Sequence, residues 1–164
     1  MKRIVIVRHG KSVPYGYNDD FNRDLRDRGK NDAKLVSTEL KNRNILPDLI
    51  ISSPAKRAIK TARIFAENLD YKQKNIREVK EIYDGLTTSE FLDNVNELPE
   101  NTDSVFFFGH NPGFYYFVNN LLEKFDGEMP TTSTVGIDFD VDSWKNVQAR
   151  TGVKAFHLIP KMFK

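Results

Sequence analysis

The sequence contains no cysteine. This absence excludes disulfides, thiol nucleophiles and metal sites built on thiolates. Excess charge of either sign is also missing, because 25 basic residues stand against 23 acidic ones and leave a net charge of +2. The basic residues are scattered along the chain rather than gathered in a stripe. We therefore expect no nucleic-acid partner.

Long apolar runs are absent as well. No stretch approaches the roughly 18 apolar residues of a membrane span, and the run that follows Met1-Lys2-Arg3 is too short for the core of a signal peptide. We expect a cytoplasmic protein with no membrane partner. At 164 residues the chain is most economically a single domain over residues 1–164, long enough to bury a substantial core.

What the sequence does contain is an alternation of short apolar runs with helical patterns. A turn-rich stretch from 14 to 20 follows the first run, and the segment 134–139 alternates polar and apolar residues, which predicts a half-exposed strand. The alternation favours an α/β fold, a three-layer sandwich with a mostly parallel central sheet and helices on both faces. Strands are predicted at 4–7, 48–51, 75–79, 104–108, 134–139 and 153–159, and helices at 30–42, 55–69, 89–98 and 114–125.

Residues suited to phosphate chemistry follow three of these strands. Arg8-His9-Gly10 comes after the first strand, Arg57 after the second, and His110 after the fourth. Ligands of open α/β sheets bind just outside the carboxyl ends of the strands. Guanidiniums offer paired donors for a phosphoryl group, and imidazoles can attack or transfer protons near neutral pH. If the strands are neighbours, these residues form one anion site.

The pair Ser53-Pro54 predicts how the second helix begins. Serine is a favoured N-cap and proline a favoured first helical residue, so we expect Ser53 to cap this helix. Arg57 then falls in the first turn, where a cation opposes the helix dipole. An anion bound at that end would reverse the sign of the effect.

Two other kinds of site do not fit the residues at these positions. Gly10-Lys11-Ser12 copies the end of a nucleotide-binding phosphate loop, but Val5 stands where that motif requires glycine. A three-histidine zinc site lacks a histidine pair at helical spacing, and the arginines would repel a cation. His157 lies inside the last predicted strand and is interpreted as structural.

Three blocks, in order along the chain, resemble the histidine phosphatase superfamily, which has the phosphoglycerate-mutase-like fold. Val7-Arg8-His9-Gly10 is similar to its Arg-His-Gly signature, residues 52–62 to its second block, and residues 109–113 to its second-histidine block. The short length, together with residues 23–25 and 129–131, resembles the short bacterial phosphohistidine phosphatases (SixA-type). One Arg-His-Gly alone would be weak evidence, whereas three blocks at three strand ends are strong.

This resemblance implies a mechanism. His9 would attack phosphorus and become transiently phosphorylated, and water would then hydrolyse the phosphoenzyme. Arg8, Arg57 and His110 would bind the phosphoryl oxygens and stabilise charge in the transition state. Arg23 matches a position that often carries a substrate-binding arginine in this branch. No metal and no organic cofactor is implied.

The sequence departs from the family pattern at two points. Asp24 replaces the proline usual after Arg23, which leaves the shape of that loop open. Many members use a glutamate after the third strand as general acid; Glu81 and Asp84 lie in that stretch, and an interpretation as surface carboxylates is at least as good. We expect a phosphohistidine phosphatase acting on a phosphorylated protein. A phosphatase for small phosphomonoesters and a non-catalytic phosphate-binding module on the same fold remain alternatives.

Overall fold

The computed structural model describes residues 1–14, 16 and 19–164, so the predicted turn-rich stretch at 14–20 lies partly outside the described residues. Six strands and five helices of four or more residues, besides short 3-10 turns, occur in this part of the chain. The strands are β1 (Lys2–Arg8), β2 (Leu49–Ser52), β3 (Arg77–Glu78), β4 (Ser104–Gly109), β5 (Thr134–Phe139) and β6 (Val153–Leu158), and the helices are α1 (Asp27–Asn42), α2 (Lys56–Asn68), α3 (Lys80–Asp84), α4 (Thr88–Asn96) and α5 (Gly113–Leu121).

The strands form one sheet in the order β3-β2-β4-β1-β5-β6. Strands β3, β2, β4 and β1 run parallel, β5 is antiparallel to β1, and β6 is antiparallel to β5. Arg8 at the end of β1 lies opposite Gly109 of β4, and Ser52 at the end of β2 lies opposite Phe108. The three strand ends that carry the candidate residues are therefore neighbours, which meets the condition under which these residues form one site.

Side chains of β1 alternate between the two faces of the sheet, and both faces are buried. Ile4 and Ile6 pack with α4 and α5, whereas Val5 and Val7 pack with α1 and α2. All four have no exposed surface, and burial of each such side chain contributes roughly 1.5–3 kcal/mol. The two apolar layers confirm the predicted three-layer α/β sandwich.

Two strand predictions were incomplete. β5 was predicted to be half exposed, but apart from Asp138 it is buried, because β1 and β6 flank it and apolar residues cover its faces. The predicted third strand shrinks to two residues at the sheet edge, and α3, which no pattern predicted, follows it directly.

Helix α4 begins with a capping box between Thr87 and Glu90, which satisfies two backbone N–H groups at its start.

The prediction of Ser53 as a helix cap was wrong. Helix α2 begins at Lys56 with Ala55 at its N-cap position, and no side chain caps it. The hydroxyl of Ser53 instead accepts the N–H of Ala55 at 3.1 Å, one turn before the helix. Arg57 nevertheless lies in the first turn, as predicted. Among the helices of the described part of the chain, none is long and apolar enough to cross a bilayer.

Candidate active site

Backbone hydrogen bonds from two neighbouring segments fix the position of His9 at the end of β1. The N–H of His9 donates to the carbonyl of Gly109 at 3.0 Å, and the N–H of Thr132 donates to the carbonyls of both Arg8 and His9 at 3.0 Å. Thr132 makes this contact with a φ of 64°, a left-handed conformation that is unfavourable for a β-branched residue. His9 is 8 % exposed, so its position is fixed before any ligand arrives.

The surroundings of the His9 ring fix which of its nitrogens carries the proton. Its Nδ1 lies 2.8 Å from the carbonyl oxygen of Gly10. Because a carbonyl can only accept, Nδ1 carries the proton of the neutral ring and Nε2 keeps its lone pair. Burial lowers the pKa of His9 to about 4; the hydrogen bond to Gly10 opposes this shift, and the charges of Arg57 and Arg8 reinforce it. The imidazole is therefore neutral at pH 7.

Two arginines line a cleft beside this histidine, one half-buried (Arg8) and one buried (Arg57). Arg8 donates from Nη1 to the carbonyl of Met129 at 3.0 Å, and burial lowers the pKa of its guanidinium. Arg57 is 6 % exposed and donates from Nη1 to the carbonyl of Asp20 at 2.7 Å. Both arginines are thus held by backbone carbonyls, which fixes the direction in which their remaining N–H groups point.

Asp20 accepts hydrogen bonds from three side chains of the site. The sequence analysis did not identify this residue. Its Oδ1 accepts from Nε and Nη2 of Arg23 at 3.0 and 2.8 Å. Its Oδ2 accepts from the hydroxyl of Tyr83 at 2.9 Å and from Nη2 of Arg57 at 3.2 Å. Burial alone would raise the pKa of this carboxyl, but the hydrogen bonds from Tyr83 and Arg23 and the charge of Arg57 outweigh it and lower the pKa to about 2.

His110 completes the site from the end of β4. Its ring centroid lies 5.3 Å from that of His9, and Tyr83 packs edge-on against it at 5.6 Å. Its Nε2 lies 2.8 Å from the hydroxyl oxygen of Ser53, the residue expected to cap α2. Burial, followed by the charges of His9 and Arg57, lowers the pKa of His110 to about 3. Both site histidines are neutral at physiological pH.

These residues surround a cavity of about 390 Å³, which we call the strand-end cleft. Five cationic side chains line it, and in the part of the chain that the structure describes no carboxylate does. The cleft therefore favours an anion of two or more charges. Its lining consists of Arg8, His9, Lys11, Ser12, Val13, Pro14, Arg23, Arg26, Arg57, His110, Asn111 and Thr131.

Buried polar atoms without partners concentrate at this cleft. Six buried side-chain nitrogen or oxygen atoms of the described residues lack a hydrogen-bond partner, and four belong to residues that line the cleft. These four are Nε of Arg8, Nε of Arg57, Nδ1 of His110 and Oδ1 of Asn111. Buried polar groups are normally satisfied, so such a cluster calls for a ligand rich in hydrogen-bonding oxygens.

The structure brings together all five residues predicted for the site, since Arg8, His9, Arg23, Arg57 and His110 all line the cleft. Asp20 was missed because its partners Arg57 and Tyr83 lie 37 and 63 residues along the chain. The only local signal was its spacing of three from Arg23, with which it pairs.

The carboxylates considered as general acids lie elsewhere. Glu81 and Asp84 are both exposed on α3, outside the cleft lining, and Asp84 lies 4.0 Å from Lys80. His157 lies outside the strand-end cleft, with its Nε2 2.8 Å from the hydroxyl oxygen of Ser133. Over the residues that the structure describes, no cluster of three histidines, aspartates or glutamates could hold a metal ion.

Fold and site together define an α/β protein with a cation-lined cleft at the ends of parallel strands, beside a neutral histidine. Residues 4–113 match the family model of the histidine phosphatase superfamily (branch 1). The chain belongs to that superfamily.

Solved structures share the whole fold. The chain superposes with a TM-score of 0.81 on a protein from Agrobacterium tumefaciens assigned provisionally as the phosphohistidine phosphatase SixA, at 23 % identity over 97 % of this chain and 98 % of that one. It superposes with a TM-score of 0.79 on the protein histidine phosphatase SixA complexed with tungstate, at 19 % identity over 99 % of each chain. These likenesses show the fold.

Curated relatives match over about half of the chain. One is the mitochondrial serine/threonine-protein phosphatase Pgam5 of Drosophila grimshawi, 32 % identical over 51 % of this chain and 29 % of the relative. Another is phosphoserine phosphatase 1 of Hydrogenobacter thermophilus, 39 % identical over 49 % of this chain and 36 % of the relative. The match thus spans about a third of the length of these relatives.

Proposed function

We propose that this protein hydrolyses phosphohistidine in a protein substrate, through a covalent phosphohistidine intermediate on His9. The observation that carries the proposal is the hydrogen bond from Nδ1 of His9 to the carbonyl of Gly10, which leaves Nε2 unprotonated in a cleft that Arg8 and Arg57 also line. Membership of a phosphatase superfamily supports it. A module that only bound phosphate would have no use for a neutral, oriented imidazole.

In the first step Nε2 of His9 attacks phosphorus, and the P–N bond to the substrate histidine breaks. The substrate ring carries a proton on its other nitrogen, so it departs as neutral imidazole. His9 keeps its Nδ1 proton throughout, and the carbonyl of Gly10 stabilises the positive charge that the phosphorylated ring acquires. One P–N bond replaces another of the same kind, so the transfer needs no strong acid.

In the second step water attacks the phosphorus of phosphorylated His9. The P–Nε2 bond breaks, Nε2 regains its lone pair, and inorganic phosphate leaves with the proton released by the water. Arg8, Arg57 and His110 line the volume in which the phosphoryl oxygens must lie; Asp20 holds the terminal nitrogens of Arg57, and the carbonyl of Met129 holds Nη1 of Arg8. Donors fixed in advance are worth most where charge develops in the transition state.

Among the described residues no carboxylic acid lines the cleft to protonate a leaving alcohol, which favours an N-phosphorylated substrate over a phosphomonoester. An alcohol leaves as a basic alkoxide unless an acid protonates it, whereas imidazole has a conjugate acid with a pKa near 6.5. No carboxylate of the described residues lines the cleft, and neighbouring Asp20, with a pKa of about 2, is ionised at neutral pH. General acid catalysis typically contributes roughly 10²–10⁴-fold, so we expect a preference of that order.

The second candidate function is hydrolysis of phosphomonoesters. The curated relatives favour it, because their names assign them to phosphoserine or to serine/threonine phosphoproteins. The experiment that decides is a comparison of kcat/KM on a phosphohistidine protein and on a phosphoserine peptide. A large preference for phosphohistidine supports our proposal; equal or faster hydrolysis of phosphoserine would reject it in favour of the phosphomonoesterase.

A further inference from the structure

A second cavity adjoins the strand-end cleft, and the catalytic chemistry does not use it. We call it the adjoining groove; its volume is about 450 Å³, and Thr131 lines both cavities. The loop that separates them is the one whose Thr132 N–H holds the carbonyls of Arg8 and His9. The groove is lined by Arg28, Asp32, Glu128, Pro130, Thr131, His157, Ile159, Pro160, Lys161, Met162 and Lys164.

The two cavities together carry much of the positive charge of the chain. Eight lysines and arginines line them against two carboxylates, Asp32 and Glu128. The whole chain has a net charge of only +2, so the rest of it is net acidic. Asp32 is 2 % exposed and its Oδ1 lies 2.9 Å from Nζ of Lys164, which leaves Glu128 as the one exposed carboxylate among the groove residues that the structure describes.

The wall of the groove is built in advance. The 3-10 helix Pro160–Phe163 packs on α1, and the ion pair of Lys164 with Asp32 fastens its end to that helix. Arg28 reaches the other oxygen of Asp32 with Nε at 3.7 Å while remaining 65 % exposed. Met162 adds an exposed apolar side chain. A partner therefore binds a surface that is already ordered, so binding does not include the entropic cost of ordering that surface.

We propose that the adjoining groove receives an acidic segment of the phosphorylated protein, next to the histidine whose phosphoryl group enters the strand-end cleft. This inference rests on the proposed function and names the kind of protein that the site selects. The cleft alone can take a small phosphorylated molecule, whereas a protein substrate must extend beyond it. The continuity at Thr131 and the shared positive charge select a segment rich in aspartate and glutamate.

The kinetic test uses phosphorylated histidine peptides whose flanking residues are glutamate, glutamine or lysine, with free phosphohistidine as the small substrate. The variant is Lys161→Glu. The matched control is Lys145→Glu, an exposed lysine next to Trp144, whose indole donates to Thr102 at the opposite end of the sheet. For native protein we expect kcat/KM to follow the order glutamate, glutamine, lysine. Lys161→Glu should lower the ratio of kcat/KM on the glutamate peptide to that on free phosphohistidine by roughly 3- to 10-fold.

Salt and the control variant complete the kinetic result. The effect of Lys161→Glu should shrink as sodium chloride is raised, because exposed charges are screened. Lys145→Glu should leave the ratio as in the native protein. An equal effect of the two variants, or equal kcat/KM on the three peptides, overturns the proposal.

A binding measurement separates this inference from the proposed function. Fluorescence anisotropy of the unphosphorylated glutamate peptide should give a several-fold weaker Kd with Lys161→Glu than with native protein, whether or not the protein turns anything over. If no phosphohistidine is hydrolysed but this difference persists, the function is wrong and the docking surface stands. If Kd does not change, the docking surface is wrong. Tighter, Lys161-dependent binding of a single-stranded RNA of equal charge would overturn the choice of partner.

Discussion

Asp20 accepts two hydrogen bonds from Arg57: the backbone carbonyl of Asp20 accepts from Nη1 at 2.7 Å, and Oδ2 of Asp20 accepts from Nη2 at 3.2 Å. One residue of the loop after β1 thus fixes both terminal nitrogens of the guanidinium. The Nε of Arg57 remains buried without a partner among the described residues. From this relationship we infer that Asp20 positions guanidinium donors that line the cleft.

Replacing Asp20 should therefore impair catalysis without removing any group that touches the substrate. In Asp20→Asn the charge that holds Arg57 and Arg23 is lost, and we expect kcat to fall roughly tenfold, less than for loss of an oxyanion donor itself. Steady-state kinetics should show the loss mainly in kcat, and Asp20→Glu should recover part of it. The matched control is Asp24→Asn, whose carboxylate pairs with Lys60 and Lys56 on α2. Equal kinetics for the two asparagine variants would contradict the role of Asp20.

The depressed pKa of His9 predicts how stability depends on pH. The folded state takes up a proton on His9 only near pH 4, whereas the unfolded chain does so near pH 6.5. The unfolded state therefore binds more protons between these values, and the free energy of unfolding should fall as pH is lowered from 6.5 to 4, by about 3 kcal/mol for His9. His110, with a pKa of about 3, acts in the same direction.

Urea denaturation at several pH values between 7 and 4 measures this effect. His9→Asn should flatten the dependence relative to the native protein. Asp20 does not interfere, because its pKa is lowered from 3.8 to about 2 and its contribution is lost only below that window. A ring-proton NMR titration that placed the pKa of His9 near 6.5 would refute the explanation.

The exposed carboxylates of α3 should have no part in the chemistry. Glu81→Gln and Asp84→Asn should each leave kcat/KM on a phosphohistidine protein within about twofold of the native value, since surface substitutions away from the site have small effects. The same variants assayed on a phosphoserine peptide provide the counter-test. Loss of phosphoserine hydrolysis in either one would identify a general acid and favour the phosphomonoesterase.

Close backbone packing behind the site predicts a further loss. A Cβ on Gly29 would lie 2.3 Å from the carbonyl oxygen of Lys11, in the loop that leads from His9 toward Arg23. Gly29→Ala should therefore shift this loop, lower the free energy of unfolding by roughly 1–3 kcal/mol and reduce kcat/KM. Gly113→Ala is the control, because its Cβ would meet nothing within 4 Å. Thermal unfolding and kinetics that fail to separate the two variants would contradict this packing argument.

Much of the fold was predictable because several strands can be recognised from the local sequence as short apolar runs. Runs such as Ile4–Val7 and Val105–Phe108 are apolar throughout, as strands buried on both faces must be, and they are fully or almost fully buried. The exposure of β5 was mispredicted because its surroundings depend on β6, which follows it in sequence but flanks it through tertiary packing. Local alternation carries no information about such a neighbour.

In the candidate site, too, some residues could be identified from the local sequence and others could not. Arg8, His9, Arg57 and His110 were identifiable because each follows a strand or opens a helix and lies in a block that resembles the family pattern. Their place at one edge of the sheet depended on the strands being neighbours, which only the structure shows. Asp20 and Ser53 were not identifiable, because their roles arise from contacts between distant segments. Ser53, for instance, contacts His110 at a separation of 57 residues. The Ser-Pro pair is a strong local signal for a helix start. Here Ser53 and Pro54 lie in the turn before the helix, where the hydroxyl of Ser53 accepts the N–H of Ala55.

The covalent role of His9 is tested most directly by trapping the phosphoenzyme. Protein is mixed with a ³²P-labelled phosphohistidine substrate, denatured without acid, digested and mapped. His9→Ala and a variant of the histidine outside the cleft, His157→Ala, are run beside it. We expect an acid-labile, alkali-stable label on the peptide that contains His9, present in His157→Ala and absent, together with turnover, in His9→Ala. Label on another residue, or near-normal turnover by a folded His9→Ala protein, would contradict the mechanism.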